Sequence, residues 1–186
     1  EAGFSESDVA AICDISASSK KTAKVDGLTI GCKGIGFKSV FTVSDRPHIL
    51  SKDFTFVFDI LGPLGKLGYV TPTWLSAEDV AALPEQVVAS YRAGKTVLYL
   101  PLKKPSLVTS IEQEMLELSD PGRATLLFLK RLSHIQMHSV GKMSRVLRLQ
   151  AGAPNDEMVI HIDCDGSSSA EHRYIIHKYT ANDKKG

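Results

Sequence analysis

The chain has 186 residues, of which 43% are hydrophobic and 23% charged. This is a globular composition, long enough for one domain or one and a fraction; it argues against global disorder and requires no disulfide or metal staple. Lys and Arg number 22 against 21 Asp and Glu, so the net charge of +1 gives no overall signal for nucleic acid or an anionic membrane.

The start, Glu1-Ala2-Gly3-Phe4, has no basic region, no apolar core and no initiator Met. It reads as part of a longer chain rather than a signal peptide. Ser5 can cap a helix over roughly 6–15, with Asp8 near its positive end and Val9, Ile12 and Cys13 inward. Residues 16–24 are small, polar and basic, a loop composition. A glycine cluster follows, Gly31-Cys32-Lys33-Gly34-Ile35-Gly36-Phe37-Lys38, and then a short helix. From 47 to 60 the period switches to two: Phe54, Phe56, Phe58 and Ile60 alternate with Thr55, Val57 and Asp59, which predicts a strand with one buried face. Trp74 and the Phe stripe read as core.

Residues 77–92 are weakly helical and interrupted by Pro84, and 96–100 predict a strand closed by Pro101. A helix is expected over 106–118. A second is expected from Asp120 and Pro121 onward, carrying Leu126, Leu127, Leu129 and Leu132. Four strand-like runs near 134–140, 144–150, 157–163 and 172–179 have the rhythm of an antiparallel meander.

Cys13, Cys32 and Cys164 form no CxxC, which argues against a structural zinc site or a disulfide framework and favours a reducing intracellular setting, cytoplasmic or nuclear. His134 and His138 lie four apart on a predicted strand, and no HExxH occurs, so no metal is assigned. No apolar run approaches the roughly 18 residues of a membrane span. Six basic and no acidic residues lie between 122 and 154, with Phe128 as the one aromatic. They read as a solvated helix face and strand edges rather than a nucleic-acid surface.

The glycine cluster admits two readings. It is either a tight turn needing positive φ or a place where backbone approaches an anion, typically phosphate. Walker A spacing fails because Phe37 stands where the Lys must be, and the Rossmann spacing fails because Gly34-Ile35-Gly36-Phe37-Lys38-Ser39 ends in Ser. The run 31–41, GCKGIGFKSVF, instead resembles the second glycine box of the GHKL superfamily of ATP-binding domains, and within it the Sacsin/NO VEIN branch. Glu1-Ala2-Gly3-Phe4 resembles the first box, Ser18-Ser19-Lys20-Lys21 the ATP lid, and Gly94-Lys95-Thr96 the glycine–threonine pair on a late strand. The resemblance covers roughly residues 1–102, fades over 103–150 and is absent beyond.

The resemblance implies an α+β fold: a two-layer α/β sandwich of GHKL (Bergerat) type with a mixed, mostly antiparallel sheet. Residues 1–118 would form a partial nucleotide-binding domain and 119–186 a helix plus antiparallel strand extension. It also implies ATP as ligand. Glu1 and Thr96 would read adenine beside Gly3. Gly31, Lys33, Gly34, Gly36, Phe37 and Lys38 would line the phosphates, with Lys38 a solvated cation facing them. Ser18, Ser19, Lys20 and Lys21 would belong to a lid over 16–30. In that family a helix preceding the first box carries a catalytic Glu and a magnesium-binding Asn. The chain as given is therefore expected to bind nucleotide without a complete hydrolytic set, magnesium being held only in the full-length protein. The alternative is a degenerate scaffold of the same fold that serves protein partners without turnover. The lid is expected to be the most protease-sensitive internal stretch, so limited trypsin digestion without nucleotide should cut first at Lys20, Lys21 or Lys24. First cuts within 123–148 would contradict it.

Overall fold

A computed structural model of the chain describes residues 2–13, 36–129, 132–139, 143–152, 157–165 and 168–176. The fold is α+β, with two four-stranded antiparallel sheets and a few helices. Contacts divide the chain into two units, 1–108 and 109–186.

In the first unit, α1 (Glu6–Cys13) begins where the sequence supplies a reciprocal cap. The Asp8 N–H donates to Ser5 Oγ at 3.3 Å, and the Ser5 N–H donates to Asp8 Oδ2 at 3.0 Å. Val9 is buried, and Ile12 and Cys13 pack beside it against Phe41, Ile49, Phe56 and Phe58.

The sheet runs β3-β2-β1-β4, formed by β1 (His48–Ser51), β2 (Phe54–Val57), β3 (Thr73–Trp74) and β4 (Val97–Tyr99). The period-two run over 47–60 thus forms two strands, as the resemblance of 47–49 and 54–60 to the strands after the second box implies, and they make a hairpin. Ser51 pairs with Phe54, and Lys52 takes a left-handed φ of 51° at the turn. One buried face was too few: Phe56 and Ile49 point into the core cluster, while Leu50 and Val57, on the opposite face by alternation, are buried as well. Past β2 the backbone keeps pairing, with Phe58 N–H donating to the Pro47 carbonyl and Ile60 N–H to that of Asp45. His48 is buried against Tyr99, and burial pushes its imidazole pKa down.

Trp74, expected in the core, is 57% exposed. It sits on a two-residue edge strand, so only its inner side meets other rings, those of Phe54 and Phe56. The segment before β3 winds through a 3-10 turn, Gly65–Tyr69, pressed against the end of β2. A Cβ on Gly68 would lie 1.9 Å from the Asp59 carbonyl oxygen, so no side chain fits there. Two short helices follow, α2 (Ala77–Ala81), capped by Ser76, and α3 (Glu85–Arg92), separated as expected by Pro84.

In the second unit α4 (Leu107–Leu118) turns Met115 and Leu118 onto a core of Leu126, Met137, Leu147, Ile160 and Ile162. The antiparallel meander forms as expected, β5 (His134–Ser139), β6 (Met143–Ala151), β7 (Glu157–Cys164) and β8 (Ser168–Ile175) pairing in chain order, though β8 begins four residues before the expected 172. The second helix expected after Asp120 is instead a four-residue 3-10 turn, Thr125–Phe128. Asp120 Oδ1 accepts from Gly122 N–H and holds a turn, and Ala124 then takes a left-handed φ of 44°. Leu126 alone of the expected apolar face is fully buried, and Leu132 is 48% exposed.

Among the described residues, the basic side chains of the 122–154 stretch are paired with carboxylates. Arg123 pairs with Glu117, Arg145 with Asp165 and Arg148 with Asp163. Among the described residues no helix is long and apolar enough to cross a membrane.

Replacing Gly68 by Ala should lower the unfolding free energy by about 1–3 kcal/mol, the usual cost of forcing atoms into filled space. Urea denaturation of the variant would measure it; a change under about 0.5 kcal/mol would show that the turn and β2 separate freely.

Candidate functional site

Ser51 ends the central strand β1 and is fully buried. A buried hydroxyl must find partners, and this one takes them from two distant segments. The Phe4 N–H donates to Ser51 Oγ at 2.9 Å, and Thr96 Oγ1 lies 2.8 Å from the same oxygen. Thr96 directly precedes β4, whose Val97 pairs with Leu50. The strand pairing of β1 and β4 therefore delivers Thr96 to Ser51.

Gly3 lies at the same place. Its φ is +67°, and a Cβ would stand 2.7–2.9 Å from the Lys52 side chain. The hairpin tip is held from the other side by Tyr91, whose hydroxyl donates to the Lys52 carbonyl at 2.6 Å. Two of the residues singled out in the sequence, Gly3 and Thr96, are thus brought together. Glu1 lies outside the described residues, as do Ser18, Ser19, Lys20, Lys21, Gly31, Lys33 and Gly34.

The end of the glycine box behaves unexpectedly. Gly36 has φ −59° and ψ −45°, an ordinary right-handed conformation, so positive φ is not its reason for being glycine. Among the described residues nothing lies within 4 Å of a Cβ built on it. Its carbonyl accepts from the Ser39 N–H and Oγ, starting the 3-10 turn Phe37–Thr42.

In that turn residues three apart share a side, and Lys38 and Phe41 both face inward. Lys38 is only 8% exposed. Its ammonium donates to the Tyr69 carbonyl at 2.7 Å and lies 4.5 Å from the Phe58 ring centroid and 5.2 Å from that of Tyr69, with Phe37 and Phe41 slightly farther. The solvated cation expected beside phosphates is therefore a buried cation in an aromatic cage. Burial pushes its pKa down, with the nearby Cys13 opposing; burial likewise pushes the Cys13 thiol up, with Lys38 opposing. Phe37 packs 5.7 Å from Phe58, centroid to centroid, as part of the same cage.

Sequence reasoning missed Ser51 and Tyr69. A serine at the end of an apolar run is a signal for Ser51, since a buried hydroxyl there demands a partner. Tyr69 contributes a carbonyl, which no residue type announces. His134 and His138 share the outward face of β5, and among the described residues no three His, Cys, Asp or Glu side chains could hold a metal ion.

Residues 1–66 match the Sacsin domain family. The chain is 36% identical over 177 residues to Protein NO VEIN of Arabidopsis thaliana, a match that covers 90% of this chain and 6% of that protein. Both support a relationship to Sacsin and NO VEIN proteins. The similarity to NO VEIN extends past the residues 1–102 on which the resemblance was drawn and into the second unit. No solved structure matches.

Lys38→Ala should destabilise the chain by about 2 kcal/mol, through lost packing and an abandoned carbonyl. The sign of the pH effect follows from its lowered pKa. The folded amine releases its proton at a lower pH than the unfolded one, so between those values the unfolded chain binds more protons and stability rises with pH. Urea midpoints taken from neutral pH up to the ordinary lysine range should rise for the wild type relative to Lys38→Met. Parallel curves would mean that Lys38 is solvated after all.

Proposed function

We propose that the first unit is the ATP-binding module of a larger chaperone-like or regulatory protein, built in the GHKL manner. The observation that carries this reading is the Phe4–Ser51–Thr96 hydrogen-bond chain. It joins the first glycine segment to the late-strand threonine, the two places where the resemblance puts adenine. The antiparallel sheet with α1 and the Phe37–Thr42 turn packed on one face is compatible with such a sandwich.

In this reading Glu1 accepts from the adenine amino group, and Gly3 keeps the chain close to the hairpin. Gly31, Gly34 and Gly36 admit the phosphates to the backbone, with Lys33 beside them and Ser18, Ser19, Lys20 and Lys21 closing over them. Gly36 suits that role, because its own backbone does not require glycine and the space beside it is open among the described residues. Phe37 and Lys38 act one step removed, holding the turn that aims the box. Magnesium, when bound, would neutralise phosphate charge. No described cluster of ligands fits it, and the resemblance assigns it to the helix preceding the first box, so no hydrolytic step is derived for these residues.

The degenerate-scaffold reading also has an observation in its favour. Lys38 is spent on the core, which removes one cation from the phosphates. Gly36→Ala separates the two. Ala favours a right-handed helical turn over Gly by up to about 1 kcal/mol, so the melting temperature should hold or rise. If the box cradles phosphate, affinity for a labelled ATP analogue should fall at least about tenfold, the equivalent of some 1.4 kcal/mol. Unchanged affinity, or no affinity in the wild type, would favour the scaffold.

A further inference from the structure

We infer that the outer edge of β8 is a pairing surface for a second copy of this chain, the two β8 strands meeting antiparallel with His172 opposite its own copy. The inference concerns the second unit alone and does not depend on the nucleotide reading.

An edge strand leaves a row of backbone N–H and C=O groups for another strand to take. β8 is eight residues long, and among the described residues it pairs on one side only, with β7. It contains no proline, and its register with β7 runs unbroken from Glu157↔Ile175 to Cys164↔Ser168, so no bulge twists the edge away.

The residues of the strand select the occupant. In a continuous antiparallel sheet, residues directly opposite share a face, so two copies related by a twofold axis must pair in a register centred on one residue. Centring on His172 sets Glu171 opposite Arg173 of the second copy, and Arg173 opposite its Glu171. Centring on Glu171 or on Arg173 instead sets like charges face to face. Centring on Ala170 matches Glu171 to a serine, and centring on Tyr174 matches Arg173 to Ile175. The register on His172 also opposes Ala170 to Tyr174, small to large, on the face that carries the core. On the outer face it brings Ser169 beside Ile175, which is 72% exposed.

The two charged side chains have room to turn toward a partner strand, since Arg173 is 64% exposed and Glu171 43%. Their bonds within the chain, Arg173 to Glu171 at 2.8 Å and to Glu157 at 3.5 Å, lie at the surface, where such pairs contribute little and exchange readily. The other edge of the sheet offers no such match, because β5 carries no carboxylate. Pairing through β8 therefore makes one sheet continuous across two chains and closes at two copies.

Sedimentation velocity of the whole chain over a range of concentrations should show a monomer–dimer equilibrium. Glu171→Arg alone sets arginines against each other on both sides of His172, and Arg173→Glu alone sets glutamates against each other. Each should weaken dimerisation at least about tenfold. An equimolar mixture of the two variants should dimerise about as tightly as the wild type, because every opposition is again Arg against Glu. The double variant Glu171→Arg/Arg173→Glu should do so by itself. Should a single variant misfold, hydrogen exchange of the wild type at low and high concentration decides: β8 amides should slow as the dimer forms, and unchanged exchange overturns the proposal. It is overturned equally by a wild type that stays monomeric at every concentration, as when another part of the chain covers this edge. A dimer that neither single variant weakens, or a mixture of folded variants that stays monomeric, overturns it as well.

Discussion

Strand β1 is buried over its whole length, His48 to Ser51, and the first unit is organised by what a four-residue strand closed off from water demands. Its apolar residues need cover on both faces: Ile49 receives it from α1 and the Phe37–Thr42 turn, and Leu50 lies on the face opposite. Its backbone is satisfied by β2 on one side and β4 on the other. Its final hydroxyl is satisfied only by drawing in Phe4 and Thr96. Those requirements bring the first glycine segment, the hairpin tip and the entry to β4 to one point. The candidate site is a by-product of the most buried element, not an addition to the surface.

The same logic explains the aromatic cage. Phe37, Phe41, Phe58 and Tyr69 surround the Lys38 ammonium with rings whose negative faces offset part of the cost of burying it. Lys38 then ties the glycine box to the 65–69 turn through the Tyr69 carbonyl, and Gly68 lets that turn reach the Asp59 backbone. Box and hairpin are thereby coupled through one buried side chain.

What was legible in the sequence was what local chemistry decides. The Ser5–Asp8 cap, the Pro84 break and the four-strand meander all follow from residue types at fixed offsets. The two strands within 47–60 were legible from the resemblance, but their turn was not marked, because Lys52-Asp53 lacks the glycine or asparagine of a tight hairpin. The helix expected after Asp120 failed because Leu126, Leu127 and Leu129 satisfy a helical pattern that the left-handed Ala124 cuts short. In the site, Gly3 and Thr96 could be named from the resemblance. Lys38 was misread because a lysine looks solvated until the rings around it, one of them 31 residues away, are placed in space. Ser51 was missed for the same reason, since its partners lie 47 and 45 residues off.

The Phe4 amide belongs to no helix or strand. An amide in irregular backbone ordinarily trades its hydrogen with solvent almost at once. This one is bonded to an oxygen of a residue with no exposed surface, so its exchange must wait until the contact between Phe4 and β1 opens. The hydrogen on a single nitrogen therefore keeps time for the site as a whole, and its rate of replacement by deuterium reports how often the first glycine segment lifts away from the sheet.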